Sequence, residues 1–327
     1  MATAEVHVTR RTENPIVLVA MGGHAFMQKG EIGTIDDHER NAKVIASLLV
    51  SLVERDYHLV ITHGNGPQVG NLLIQHEVAR QEVPELPLDV LVAMTEGSLG
   101  YILQQSLLNQ LRERNLRRYV VTVVTQVLVD ENDPAFQTPS KPIGPFLSKE
   151  EAERRRDQLG WKVKDDAGRG WRRLVPSPRP RKVIQRHMIR EAARAGHIVV
   201  ACGGGGIPIK QEASGQYSGI EAVIDKDLTS AVLATDVGAE LLVILTAVPQ
   251  VYVDFGQPGQ RALGAVTLEE IERLQGEGHF PAGNMGPKIE AVIGFLRSSG
   301  RRALITNPES LPRAIDGRAG THFVGGI

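Results

Sequence analysis

Short, unbroken apolar runs alternate along this chain with longer stretches whose apolar residues recur every three or four positions. Ile16–Met21, His58–Thr62, Ile198–Ala201, Leu241–Leu245 and Arg302–Thr306 have the length and composition of buried strands. Tyr119–Val129, rich in Val and Thr, reads as one longer strand. Helical spacing marks Asp37–Arg55, where Val44, Ile45, Leu48, Leu49 and Leu52 share a face, and a segment opened by Pro67. It also marks Leu88–Arg114, with a break expected near Gly97–Gly100, and Lys182–Ala195, Lys226–Val237, Thr267–Gln275 and Pro287–Ser299. Strands alternating with helices predict an α/β fold with a mainly parallel sheet covered on both faces. Asp130–Pro180 departs from this rhythm. Its Pro and Gly punctuation around a charged helix, Lys149–Leu159, predicts an inserted subdomain or lid.

Three of the strand-like runs end in glycine: Gly22-Gly23, Gly64-Asn65-Gly66 and Gly203 to Gly206. Glycine after a strand permits a sharp turn and lets main-chain N–H groups approach an anion without a Cβ in the way. Three such turns predict loops converging at one edge of a parallel sheet, where α/β proteins bind ligands. The common nucleotide motifs are absent. No G-x-x-x-x-G-K-[ST] string occurs, and neither Gly64 nor Gly203 begins a complete G-x-G-x-x-G. H-E-x-x-H and G-x-S-x-G are absent too.

Composition narrows the reading further. With 327 residues, 42% hydrophobic and 23% charged, the chain has the make-up of a globular enzyme of one large or two smaller domains. A net charge of −1 gives no electrostatic case for nucleic acid or an anionic membrane. The single cysteine, Cys202, excludes an intrachain disulfide and reads as a small buried residue at a strand end. The polar start has no apolar leader segment, and the longest apolar stretch is too short for a bilayer, so a cytoplasmic location is the expectation.

Two lysines stand where the helix field disfavours them. Lys226 opens one predicted helix and Lys288 follows Pro287 at the start of another. A cation in a first helical turn costs about 0.3–1 kcal/mol unless an anion docks there. Either lysine alone could point into solvent; the pair, in a chain with three glycine turns, points to a shared anionic ligand.

Longer strings then become informative. Gly22-Gly23-His24-Ala25, the Gly64–Gly70 run, Glu96-Gly97 with Gly100-Tyr101, Asp133–Phe136 and Lys141–Phe146 follow in order. So do Asp165–Gly170, Val175–Pro178, the Ala201–Pro208 run, Glu221–Asp227 and Gly283–Lys288. This ordered set resembles the carbamate kinases of the amino acid kinase superfamily. The resemblance implies a three-layer αβα sandwich with a protruding inserted subdomain at 130–180. Residues 1–205 would hold carbamate or carbamoyl phosphate, residues 206–327 would hold ATP or ADP, and the protein would be a homodimer. It implies reversible phosphoryl transfer between carbamoyl phosphate and ADP, with Mg²⁺ carried by the nucleotide phosphates and water and no metal ligand assigned in the chain. Lys141, Lys226, Lys288 and Asp227 would be catalytic. Gly22, Gly23, His24, Gly64, Asn65, Gly66, Gly204 and Gly205 would surround the substrate. Asp225, Thr246, Ala247, Val251, Tyr252, Met285 and Gly286 would contact the nucleotide. Carbamate is already an anion, so the transfer needs no general base, and none is visible in the sequence.

Two departures keep other readings open. His24 stands where the family usually has Asn, and Thr246-Ala247-Val248-Pro249 replaces the usual T-x-V-D. A paralogous kinase acting on another small acid, or a nucleotide-binding regulator with a decayed site, would fit those changes, although all three lysines are retained. An imidazolium at His24 in contact with phosphate would make carbamoyl phosphate affinity strengthen as pH falls through about 6.5. Titrating that affinity against pH checks it, and a profile as flat as that of His24→Asn would contradict it.

Overall fold

A computed structural model describes residues 14–325 apart from 29, 167, 282–284 and 300. The side chain of His24, and Ala167, Gly283 and Asn284 of the motifs above, lie outside the described residues. The central sheet has eight strands. They are β1 (Ile16–Met21), β2 (His58–His63), β3 (Val120–Thr122), β9 (Ile198–Val200), β12 (Leu241–Leu245), β15 (Ala265–Thr267), β16 (Arg302–Thr306) and β17 (Thr321–Val324). Their spatial order is β15-β17-β16-β12-β1-β2-β9-β3. Every neighbouring pair is parallel except β16 with β17.

All six residues of β1 are buried, as a strand covered on both faces requires. Val17, Val19 and Met21 join one core with α1 (Ile35–Val53), α3 (Leu88–Glu113) and α9 (Leu311–Ile315). Ile16, Leu18 and Ala20 join the other, beneath α5 (Arg186–Arg194), α6 (Lys226–Val237), α7 (Leu268–Gly276) and α8 (Met285–Ser299). The result is the three-layer αβα sandwich, each large side chain buried there contributing about 1.5–3 kcal/mol.

The remaining strands form smaller sheets. Four short ones, β4 (Gln126–Leu128), β8 (Lys182–Val183), β10 (Ile207–Gln211) and β11 (Tyr217–Gly219), pair beside the main sheet. Inside the insert, β5 (Lys141–Leu147), β6 (Lys162–Asp165) and β7 (Trp171–Val175) make an antiparallel sheet with α4 (Lys149–Leu159). β13 (Val251–Val253) and β14 (Arg261–Leu263) form a hairpin.

Three sequence expectations are corrected. Tyr119–Val129 is two strands in two sheets, because the chain turns at Thr125, whose hydroxyl donates to Val123 O at 2.6 Å and whose N–H donates to Glu96 at 2.8 Å. Lys182–Ala195 begins with β8, and its helix starts only at Arg186. Leu88–Glu113 runs unbroken; Gly100 is there for close packing, since a Cβ would lie 2.3 Å from the Thr122 methyl carbon.

The insert is anchored through α2 (Gly66–Ala79). A Cβ on Gly70 of α2 would lie 1.9 Å from Gly144 Cα in β5, and Gly144 itself has a φ of +77°. The contact leaves no room for a side chain on Gly70, while at Gly144 it is the left-handed backbone that favours glycine. Gly70→Ala is expected to destabilise the fold by about 1–3 kcal/mol. Gly97→Ala, in open space on α3, should be neutral or stabilising by up to about 1 kcal/mol. Denaturant titration of both variants checks the contrast, and equal stabilities would contradict it.

Candidate active site

The three glycine turns close the carboxyl ends of β1, β2 and β9, three adjacent parallel strands. β12, on the other side of β1, is followed by Thr246, and β16 beyond it is followed by Asn307. Chain order reverses at β1, flanked by β2 on one side and β12 on the other, which is where an open α/β sheet leaves a crevice. A cavity of about 430 Å³ lies there.

Of the residues expected at the site, Gly22, Gly23, Gly64, Asn65, Gly66, Lys141, Gly204, Asp225, Lys226, Asp227, Thr246, Ala247 and Lys288 line this cavity. Gly205, Val251, Tyr252, Met285 and Gly286 do not. Gly205 O accepts from the Thr229 hydroxyl at 2.9 Å, tying its turn to α6. Val251 is buried with its N–H donated to the Thr321 hydroxyl, and Tyr252 packs beside Phe255. A Cβ on Gly286 would meet Pro281 O at 2.9 Å, so its glycine serves the approach to α8. Gln28, Ile45, Asn307, Pro308 and Glu309 also line the cavity and were not foreseen. Only the position of Asn307 and its neighbours, directly after the Arg302–Thr306 run, could have signalled them.

The charged centre is compact. Asp225 is the N-cap of α6, and its Oδ1 accepts from the N–H groups of Asp227 and Leu228 at 2.9 and 3.4 Å. This is an ordinary local reason for the helix to start at Lys226. The other oxygen, Oδ2, accepts from Lys141 Nζ at 2.5 Å, so the insert's first strand reaches across to α6. Asp227 is 3% exposed. One of its oxygens accepts from Lys226 Nζ and the other from Lys288 Nζ at 3.2 Å. Pro287 occupies the third position of α8 rather than the first, which still leaves Lys288 in the opening turn. The Lys226 stem lies against Gly64, whose added Cβ would be 3.5 Å from Lys226 Cδ and 3.4 Å from Gly23 N.

Electrostatics follow from burial. Desolvation pushes the Lys226 ammonium below its ordinary value, Lys288 adds to this, and Asp227 opposes it. Burial alone would raise the Asp227 carboxyl, but Lys226 and Lys288 overcome it and hold the group ionised well below its ordinary 3.8. Asp225 is likewise raised by burial and brought down, net, by Lys141. Beneath the cradle, desolvation lowers buried His63 to about 4, so that ring is neutral at pH 7.

Three cations thus meet two carboxylates at the charged centre, beside a ring of glycine turns, and Glu309 is a third carboxylate on the cavity wall. That arrangement is suited to an anion with several oxygens. Among the described residues no group of three or more His, Cys, Asp or Glu could hold a metal ion. Both carboxylates at the centre are already held by lysines. The donor set therefore fits a divalent ion arriving on the oxygens of a bound phosphate ligand.

Residues 15–307 match the family model described as the amino acid kinase family. The chain belongs to that family. Among its relatives, the carbamate kinase of Thermococcus kodakarensis is 45% identical over 311 residues, covering 94% of this chain and 98% of that one. The structure of carbamate kinase from Giardia lamblia bound to citric acid superposes with a TM-score of 0.91 at 38% identity, covering 95% and 98% of the two chains. The same enzyme bound to AMP-PNP superposes with a TM-score of 0.88 at 38% identity, again covering 95% and 98%. The expected fold, with its mainly parallel sheet, is the one found.

Asp227 should matter even without ligand. Its folded pKa lies below the unfolded value, so its stabilisation is present above about pH 4 and lost as pH falls through the acid range. Asp227→Asn leaves two buried ammonium groups without their carboxylate and is expected to cost about 3–5 kcal/mol at pH 7. The acid limb of its stability curve should also be shallower. Urea titrations from pH 3 to 7 check both, and a variant as stable as wild type at neutral pH would contradict the account.

Proposed function

We propose that this protein is a carbamate kinase, transferring the phosphoryl group of carbamoyl phosphate to ADP reversibly, giving ATP and carbamate. The observation that carries this reading is the convergence of Lys141, Lys226 and Lys288 on Asp225 and Asp227 at the mouth of the glycine turns. Close similarity to carbamate kinases over nearly the whole chain names the substrate.

The chemistry needs little beyond charge and alignment. A β-phosphate oxygen of ADP attacks phosphorus, the bond from phosphorus to the carbamoyl oxygen breaks, and carbamate leaves as an anion. Main-chain N–H groups of Gly22, Gly23 and Gly66 surround the transferred group, and Gly64, whose own N–H is donated to Met21 O at 3.1 Å, lines the cavity beside the Lys226 stem. Lys226 and Lys288 each have further N–H donors to offer the phosphoryl oxygens as charge spreads in the transition state, while Asp227 stays paired with both and keeps them aimed. Lys141 leaves Asp225 to clamp the carbamoyl phosphate from the insert side. Bound Mg²⁺ would neutralise phosphate charge on the nucleotide.

Residues 1–205 form the carbamoyl half of this reading and residues 206–327 the nucleotide half, with 130–180 as the lid that delivers Lys141. Asp225, Thr246 and Ala247 are the proposed nucleotide contacts that line the cavity. A homodimer in the cytoplasm completes the proposal, on family membership alone.

ATP formed from ADP and carbamoyl phosphate is the test. Wild type should turn over, and Lys226→Ala should lose about 10²–10³-fold in kcat, the scale for removing one transition-state charge contact. No turnover above that variant, with ADP still bound, would contradict the proposal. Phosphoryl transfer from another acyl phosphate alone would favour the paralogous kinase to which His24 points.

A further inference from the structure

Two adjacent buried residues of α3, Thr95 and Glu96, touch the cradle from behind and have no part in the charged centre. Each is 1% exposed. The Thr95 hydroxyl accepts from Asn65 Nδ2 at 2.8 Å and donates to Val92 O at 2.7 Å. This fixes the orientation of the Asn65 side chain. Glu96 Oε2 accepts from Thr125 N at 2.8 Å, and the Glu96 carboxyl also accepts from Gly203 N–H. Its Oε1 is buried without a hydrogen-bond partner among the described residues.

These contacts meet two of the three glycine turns. Gly203 is wedged between the His63 ring and Glu96, since a Cβ there would lie 2.7 Å from His63 Nε2 and 3.1 Å from Glu96 Cγ. A Cβ on Gly204 would lie 2.1 Å from Asn65 Nδ2, so the Asn65 amide rests directly on the second turn. Cys202, whose φ is 51°, donates its N–H to the Thr125 hydroxyl at 3.0 Å and sets the entry to that turn. The turns after β2 and β9 are thus fixed to each other by Asn65 and to one helix by Thr95 and Glu96.

We propose that Thr95 and Glu96 are positioning residues for phosphoryl transfer, a bracket on α3 that sets the spacing between the Gly64–Gly66 and Gly203–Gly206 turns where carbamoyl phosphate binds. The proposal rests on the carbamate kinase reading. Its physical basis is that donors displaced by about 1 Å cost about 10²-fold in rate, and that this bracket touches neither Lys226 nor Lys288. Burial raises the Glu96 carboxyl well above its ordinary value. Glutamine keeps the length of the side chain and an acceptor oxygen for the Thr125 N–H; alanine leaves buried N–H groups unpaired.

Steady-state kinetics and peptide-resolved hydrogen exchange on Thr95→Val, Glu96→Ala and Glu96→Gln form the test. Thr95→Val and Glu96→Ala should lower kcat/KM for carbamoyl phosphate at least tenfold with KM for ADP within twofold of wild type. Exchange in the two glycine turns should rise in both. Glu96→Gln should stay within threefold of wild type in every parameter. If Glu96→Ala does not fold, the other two variants decide. Folded Thr95→Val with wild-type kinetics and exchange would overturn the bracket. So would a loss shared equally by ADP, or Glu96→Gln as impaired as Glu96→Ala. An inactive wild type would overturn the assigned reaction instead, and exchange in the turns would still judge the bracket.

Discussion

Asp227 is the group on which the site depends. Burial alone would raise the Asp227 carboxyl and lower the Lys226 ammonium, and each opposes that drift in the other. Lys226 and Lys288 together hold Asp227 ionised, and Asp227 holds both lysines at one wall of the cavity. Breaking such a group is costly because it leaves an uncompensated buried charge. The lysines are therefore kept charged and oriented until phosphoryl oxygens arrive. Asp225 performs a similar service for Lys141 while capping α6 with its other oxygen. One short acidic-basic-acidic sequence, residues 225–227, starts a helix and assembles the charge of the site.

The sheet supplies the rest. Strand order β12-β1-β2-β9 brings three glycine turns and Thr246 to one edge, although they are spread over more than half of the chain. The close approach of Gly70 to Gly144 seats the insert so that β5 begins with Lys141 opposite α6. Packing and catalysis thus meet in the same few residues, and a glycine far from the charged centre can govern where a lysine sits.

Much of this was legible in the sequence. Leu241–Leu245, Arg302–Thr306, Lys149–Leu159 and Lys226–Val237 have the predicted boundaries, because unbroken apolar runs and capped helices carry their limits locally. The glycine turns and the three lysines were legible for the same reason: each sits beside a strong strand or helix signal. What was missed is non-local. The three-residue strands β13, β14 and β15 have no pattern of their own and exist through their partners. Thr125 split a run that looked continuous because its hydrogen bonds lie with Glu96, a residue on another element. Val251 and Tyr252, which the resemblance places at the nucleotide, lie in the β13–β14 pairing and do not line the cavity.

The central claim is that Lys141 trades Asp225 for phosphoryl oxygens while Lys226 and Lys288 reach those oxygens without leaving Asp227. A crystal structure with ADP and an unreactive carbamoyl phosphate analogue tests this most directly. The account predicts Nζ of Lys141, Lys226 and Lys288 within hydrogen-bond distance of phosphoryl or phosphonate oxygens, Lys141 released from Asp225, and Asp227 still in contact with both Lys226 and Lys288. Ligands bound elsewhere, or bound in the cavity with all three lysines still held only by their carboxylates, would contradict it.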